Sequence, residues 1–341
     1  MGESLSEDIK SVLRNIGTEL TQGRDVGASL LNLRPMLHEL APKSIASCSY
    51  QIAHAATLYR RHEKPTWLER NFKKWLSVTE QLIKYPQLAE VLIFHFDGYI
   101  REKALQRLVG ALPSAFICAA IVWRANDWVP QVRAAAEACA ARTFPKTDGK
   151  ILANAMGGIL TDQESWGRWN TMPLPFQEVL KRPDVIKAIC DQIISTATSA
   201  NSAVFRYALK IGLFDQQLPL IFKSAKQPSL RALSFNALFD GEIRWPEGRR
   251  TYWVDKPLGI SRTISEMKTR PLFLDINKDH LLLSALNDKS PVMRRAAMAA
   301  LIRHQIISSR AQEFAQSMLS DRSKAVRERA QFILSRCAQI G

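Results

Sequence analysis

Apolar or small residues recur at i, i+4 and i+8 in five places along this chain: Ile100/Ala104/Leu108, Val132/Ala136/Ala140, Leu230/Ser234/Leu238, Met293/Ala297/Leu301 and Val326/Ala330/Leu334. That spacing draws one stripe down a helix. The middle position is small in all five, which lets a neighbouring helix approach closely. The stripes predict helices packed against one another, with the residues beside each stripe left for solvent.

The residues ahead of the stripes repeat as well. Asp127, Pro130, Val132, Arg133 and Ala136 match Asp288, Pro291, Met293, Arg294 and Ala297. Asp321, Lys324, Val326, Arg327 and Ala330 give the same pattern with lysine for proline. Partial copies are Gly98 to Ala104, around Arg101, and Pro228 to Ser234, around Arg231; Phe205, Arg206 and Leu209 form the weakest. Aspartate accepts hydrogen bonds from free amides where a helix starts, and proline fits the first helical turn. Arg101 and Arg133 stand 32 residues apart, Arg294 and Arg327 33. Arg231 and Arg294 stand 63 apart, which is two periods or one period plus an insertion. Repeats of this length are the mark of helical arrays.

The pattern D-x-x-P-x-V-R-x-x-A at Asp127, Asp288 and Asp321 resembles HEAT repeats, especially the short bacterial type also found in phycobilisome-lyase-like proteins. The resemblance is clear over residues 93–142 and 279–338 and looser over 183–240. It implies an all-α solenoid of antiparallel helix pairs and a binding function, with no particular reaction. It also implies that each motif arginine (Arg101, Arg133, Arg294, Arg327) links to the aspartate of a neighbouring turn.

The predicted organisation has four parts. Residues 1–92 form an amino-terminal helical cap, with an apolar face of Phe72, Trp75, Leu76, Val78 and Leu82. Such a cap covers the first core face of an array. Residues 93–240 hold HEAT-like repeats, with a degenerate unit near 143–182 that contains Trp166 and Trp169. Residues 241–278 are read as an inserted loop, punctuated by Pro246, Gly248, Pro257 and Gly259. Residues 279–341 return to repeats.

Charge adds candidate chemistry. Lys and Arg number 47 against 32 Asp and Glu, a net charge of +15. The excess is greatest at the carboxyl end, +6 over residues 281–341. A spread excess suits an acidic protein, nucleic acid or an anionic surface as partner. The candidate binding residues are Arg249, Arg250, Tyr252, Trp253 and Lys256 in the insertion, and Lys103, Arg295 and Arg329 beside the stripes. In the insertion, arginines could grip phosphates while rings stack on bases; the preferred reading is that the rings fasten a long loop while the arginines stay in water. Lys103, Arg295 and Arg329 are expected along one face.

Other classes lack support. The five cysteines contain no C-x-x-C pair, which argues against a disulfide framework or a zinc knuckle and for a reducing, cytoplasmic setting. The six histidines show no H-E-x-x-H spacing, and no Gly-rich phosphate loop or nucleophile elbow occurs. No cofactor and no metal are expected. The longest apolar stretch, Leu108 to Trp123, is broken by Pro113 and Ser114 and reads as a buried helix rather than a membrane span. The start, MGESLSEDIK, does not read as a secretory signal.

The expected function is a non-catalytic scaffold that binds another protein. The alternative is a basic solenoid holding a nucleic-acid backbone. An enzymatic rival is a HEAT-repeat alkylpurine DNA glycosylase, a family that uses aromatic residues and an aspartate in a basic groove; Trp123, Asp127 and Trp128 are the residues here that invite it. Asp127 is already assigned to the repeat turn, and the structural reading of it is preferred.

Overall fold

The computed structural model describes residues 4–59, 75–159, 168, 172–197, 199–306 and 308–338. Phe72, Trp166 and Trp169 lie outside these. The described residues are mostly helical, and one pair of antiparallel strands interrupts the helices. The chain divides into two compact units, residues 1–189 and 190–341, the division falling within helix Pro183–Ser195.

The first unit is built around helix Ala115–Arg124. Every residue from Phe116 to Val122 is buried, which explains an apolar run with no polar face. Helices Ile45–Ala55, Pro130–Thr143 and Gly149–Ile159 pack on it. At ten residues it is about 15 Å long. No helix among the described residues is long and apolar enough to cross a membrane. Helix Glu7–Thr21 ends at Gly23, whose φ of +62° is open to glycine without strain. A Cβ there would also lie 2.4 Å from the Trp75 ring. Trp75 thus lies against that turn, while Val78 and Leu82 are buried on helix Val78–Lys84.

The striped helices stack on one another. Helix Gly98–Arg107 packs against Pro130–Thr143 in the first unit. In the second, Pro228–Asp240 packs against Pro291–Arg303, which packs against Lys324–Cys337. Each of these three has a companion: Leu218–Ser224, Lys278–Leu286 and Ser309–Ser317 respectively. All five small middle residues, Ala104, Ala136, Ser234, Ala297 and Ala330, are fully buried.

The 63-residue spacing is one period plus an insertion, because Pro228–Asp240 and Pro291–Arg303 are direct neighbours. The insertion is not the loop expected from its Pro and Gly. It is a hairpin of β1 (Glu242–Asp255) and β2 (Ile260–Pro271). Gly241, at φ +72°, ends the preceding helix and turns the chain into β1. The register runs from Glu242 opposite Pro271 to Asp255 opposite Ile260. Irregularities fall between Pro246 and Arg249 and between Trp253 and Asp255. Pro246 and Gly248 sit at the first of these, where a missing amide or a φ of +90° disturbs the ladder least. Ile243 is buried where β1 meets helices Ser199–Lys210 and Pro228–Asp240. Arg270, opposite Ile243, fastens the base: it donates to both Asp215 carboxylate oxygens (2.6 and 2.8 Å) and to the Leu209 carbonyl.

Candidate binding surfaces

The motif arginines are consumed inside the repeats. Arg101, Arg133, Arg231, Arg294 and Arg327 each aim Nη1 at the carbonyls six and five residues earlier, closing the turn ahead of their own helix. Three also reach the next turn: Arg101 to Asp127 (2.8 Å), Arg231 to Asp288 (2.9 and 3.0 Å) and Arg294 to Asp321 (2.5 and 3.1 Å). Asp127, Asp288 and Asp321 do not cap the helix itself. Each accepts the amide two residues on, from Val129, Ser290 and Ser323, and so folds the turn that precedes it.

Asp127 is the most enclosed of the three. Its side chain is 1% exposed and lies between Arg101 and Arg124. Burial works to raise its pKa, but hydrogen bonds from Arg101 and Val129 and the charges of both arginines hold it below the usual aspartate value. Burial and the Arg101 charge together push Arg124 down to about 10, against the pull of Asp127. A carboxylate held this way is occupied as an acceptor and shielded from a substrate, although Trp128 beside it is 68% exposed.

The candidate residues beside the stripes do not form a set. Lys103 and Arg329 follow their motif arginine by two residues and Arg295 by one, so the helical turn aims Arg295 elsewhere. Lys103 lies 5.3 Å from the Tyr99 ring centroid and donates to Gln106. Arg329 donates to Ala325 of its own helix. Arg295 is exposed and has no ion-pair partner among the described residues.

The hairpin splits its candidates between two faces. Thr251 and Thr263 are paired and share a hydrogen bond of 2.8 Å, which marks one face. Strand alternation puts Arg249 and Trp253 on that face and Arg250 and Tyr252 on the other. Arg262, opposite Tyr252, is a candidate that linear reading missed. Lys256 lies in the connecting turn. Among the described residues, Arg249, Arg250, Lys256 and Arg262 form no ion pair. Tyr252 and Trp253 thus offer no common platform on which bases could stack.

A second set of features was not visible in the sequence at all. In residues 190–341, two adjoining grooves of about 280 and 290 Å³ share Leu301 and Ile306 as a common wall. Leu282, Ala311 and Ile333 extend the apolar lining. Aromatic rings carry cations along the rims: Lys278 stands 5.8 Å from the Phe239 ring centroid, Arg310 5.7 Å from Phe314 and Arg336 5.4 Å from Phe332. Such contacts hold a cation over a ring face without neutralising it. The nearby carboxylates are already engaged. Asp279 accepts Arg310, and Asp240, 6% exposed, accepts Arg303 and His304 at 2.7 Å.

Among the described residues, no three His, Cys, Asp or Glu gather as metal ligands. Burial raises the Cys118 thiol far above its ordinary value and pushes Cys139 and Cys190 up to about 11, so all three stay protonated near neutral pH. Compared with known protein families and with curated proteins, the chain matches none.

Proposed function

We propose that this chain is a non-catalytic scaffold of HEAT-like helix pairs that holds another protein, and that residues 190–341 receive an acidic, apolar segment of that partner. The supporting observation is the pair of adjoining grooves: an apolar lining edged by the cations Lys278 and Arg336, with the groove carboxylate Asp279 paired to Arg310 and Asp240 to Arg303 and His304. Apolar side chains would fill the grooves and acidic ones would meet the rims. The charge pattern favours an acidic segment over a basic one through the repulsion a wrong partner would meet. The internal use of Arg101, Arg231 and Arg294 supports the same division, since a repeat's own arginines then build the frame and leave recognition to its edges.

The reading is tested by fluorescence anisotropy with a labelled amphipathic peptide of Leu, Phe, Asp and Glu. A peptide with Lys at every acidic position is the control. The acidic peptide is expected to bind and the basic one not to. Lys278→Glu with Arg336→Glu turns two attractions into repulsions, a loss of about 2 kcal/mol or roughly thirty-fold in affinity. Equal binding of both peptides, or no effect of the double variant, would refute it.

A further inference from the structure

We infer that the distal hairpin is a membrane-surface anchor that inserts its tip into the headgroup region of an anionic lipid bilayer. This does not depend on the grooves. From Gly248 to Ser265 every residue is exposed except Asp255, which is half-buried. Most apolar residues of this stretch crowd towards its end: Trp253 is 55% exposed, Val254 59%, Leu258 72% and Ile260 50%, with Ile264, opposite Arg250, the one further back. They also surround it. Trp253 lies on the Thr251–Thr263 face, Ile260 on the Tyr252–Arg262 face, and Leu258 in the turn between.

That distribution selects the occupant. A protein groove or another strand covers one face or one edge and would leave the rest of this apolar surface in water. A nucleic-acid strand would stack on rings that share a face, and these do not. A lipid interface closes around the tip from all sides.

The charges agree. Lys256 stands in the turn, Arg262 follows about 10 Å behind the tip, and Arg249 and Arg250 about 17 Å behind at the usual strand rise. None is paired with a described carboxylate. The one acid in the tip, Asp255, accepts the Leu258 amide at 3.1 Å and so braces the turn. Apart from Lys256 in the turn itself, apolar residues lead and cations trail, which matches the order of acyl boundary and phosphate layer met on entering a bilayer. Tyr and Trp suit the boundary between them. The base is braced for such a load by Arg270 on Asp215 and Leu209.

The test is sedimentation of the full chain with phosphatidylcholine vesicles, with and without phosphatidylserine, at low salt. An environment-sensitive label at Leu258→Cys, in a Cys337→Ser background, reports insertion independently. The expected result is co-sedimentation with the serine-containing vesicles and a blue shift of the label. Leu258→Asp with Ile260→Asp should lower the partition coefficient at least ten-fold. Arg249→Glu with Arg250→Glu should abolish the preference for phosphatidylserine. Both variants lie in the exposed half, and matched thermal melts check that the fold is intact. No binding, a label that stays in water, or binding unchanged by the aspartates would overturn the proposal. So would binding of duplex or single-stranded DNA that competes fully with vesicles while the label on vesicles remains unshifted, an outcome that would mark a phosphate-backbone site instead.

Discussion

Removing the Asp127 carboxylate should expose how strongly the first unit depends on its internal charges. In Asp127→Ala, Arg101 loses its 2.8 Å partner and Arg124 its 3.1 Å partner, and the Val129 amide loses its acceptor. The arginine side chains are only 3% and 12% exposed, so water cannot readily replace what is lost. Two guanidiniums are then left facing each other, and breaking a buried pair in this way costs about 3–5 kcal/mol. Asp127→Asn keeps one acceptor oxygen and removes the charge, so its cost should be smaller, about 2 kcal/mol. At Asp321 the carboxylate's hydrogen bonds go to Arg294, 16% exposed, and the Ser323 amide, with Arg327 adding only its charge, so Asp321→Ala should fall between the two. Urea denaturation followed by circular dichroism measures all three. The folded pKa of Asp127 is lowered, so its contribution is present above the ordinary aspartate value and is lost as pH falls through the folded value. A loss below about 1 kcal/mol for Asp127→Ala, or an Asp127→Asn variant as stable as wild type, would refute the argument that charge compensation governs this site.

Ala297→Leu should cost about 1–3 kcal/mol in a thermal melt, because Ala297 is fully buried between stacked helices; an unchanged melt would mean the position has room to spare. Glu90→Gln should flatten the acid side of the stability profile. Burial works to raise the Glu90 pKa, but His38 at 2.7 Å and Arg34 at 2.9 Å hold it low, so wild type loses that stability as pH falls below the ordinary glutamate range and the variant does not. Arg270→Met should leave the helices intact but free the hairpin base, speeding proteolysis within 242–271 several-fold; unchanged cleavage would show that Arg270 is not what holds the base.

The repeat frame was legible because identical packing imposes identical residues. A stacked helix needs a small residue at its crossing point, hence Ala104, Ala136, Ser234, Ala297 and Ala330. A closed turn needs an acceptor and a long donor, hence Asp127 with Arg101 and Asp321 with Arg294. The hairpin was hidden by its own irregularities: Pro246 and Gly248 look like loop residues because a break in the ladder is where a strand tolerates them. Arg249 and Arg250 read as one cluster in sequence, yet adjacent strand residues point to opposite faces, and the true neighbour of Tyr252 is Arg262 from the other strand. The grooves could not be read at all, since Phe239, Lys278, Arg310 and Phe332 come from four helices and no spacing relates them.

Hydrogen–deuterium exchange with and without the acidic amphipathic peptide tests the scaffold reading most directly. Binding as proposed should protect helices Lys278–Leu286, Ser309–Ser317 and Lys324–Cys337 and the end of Pro291–Arg303 that carries the shared Leu301 wall, and leave β1 and β2 at their free rates. Protection confined to the hairpin, or no protection anywhere at saturating peptide, would contradict it.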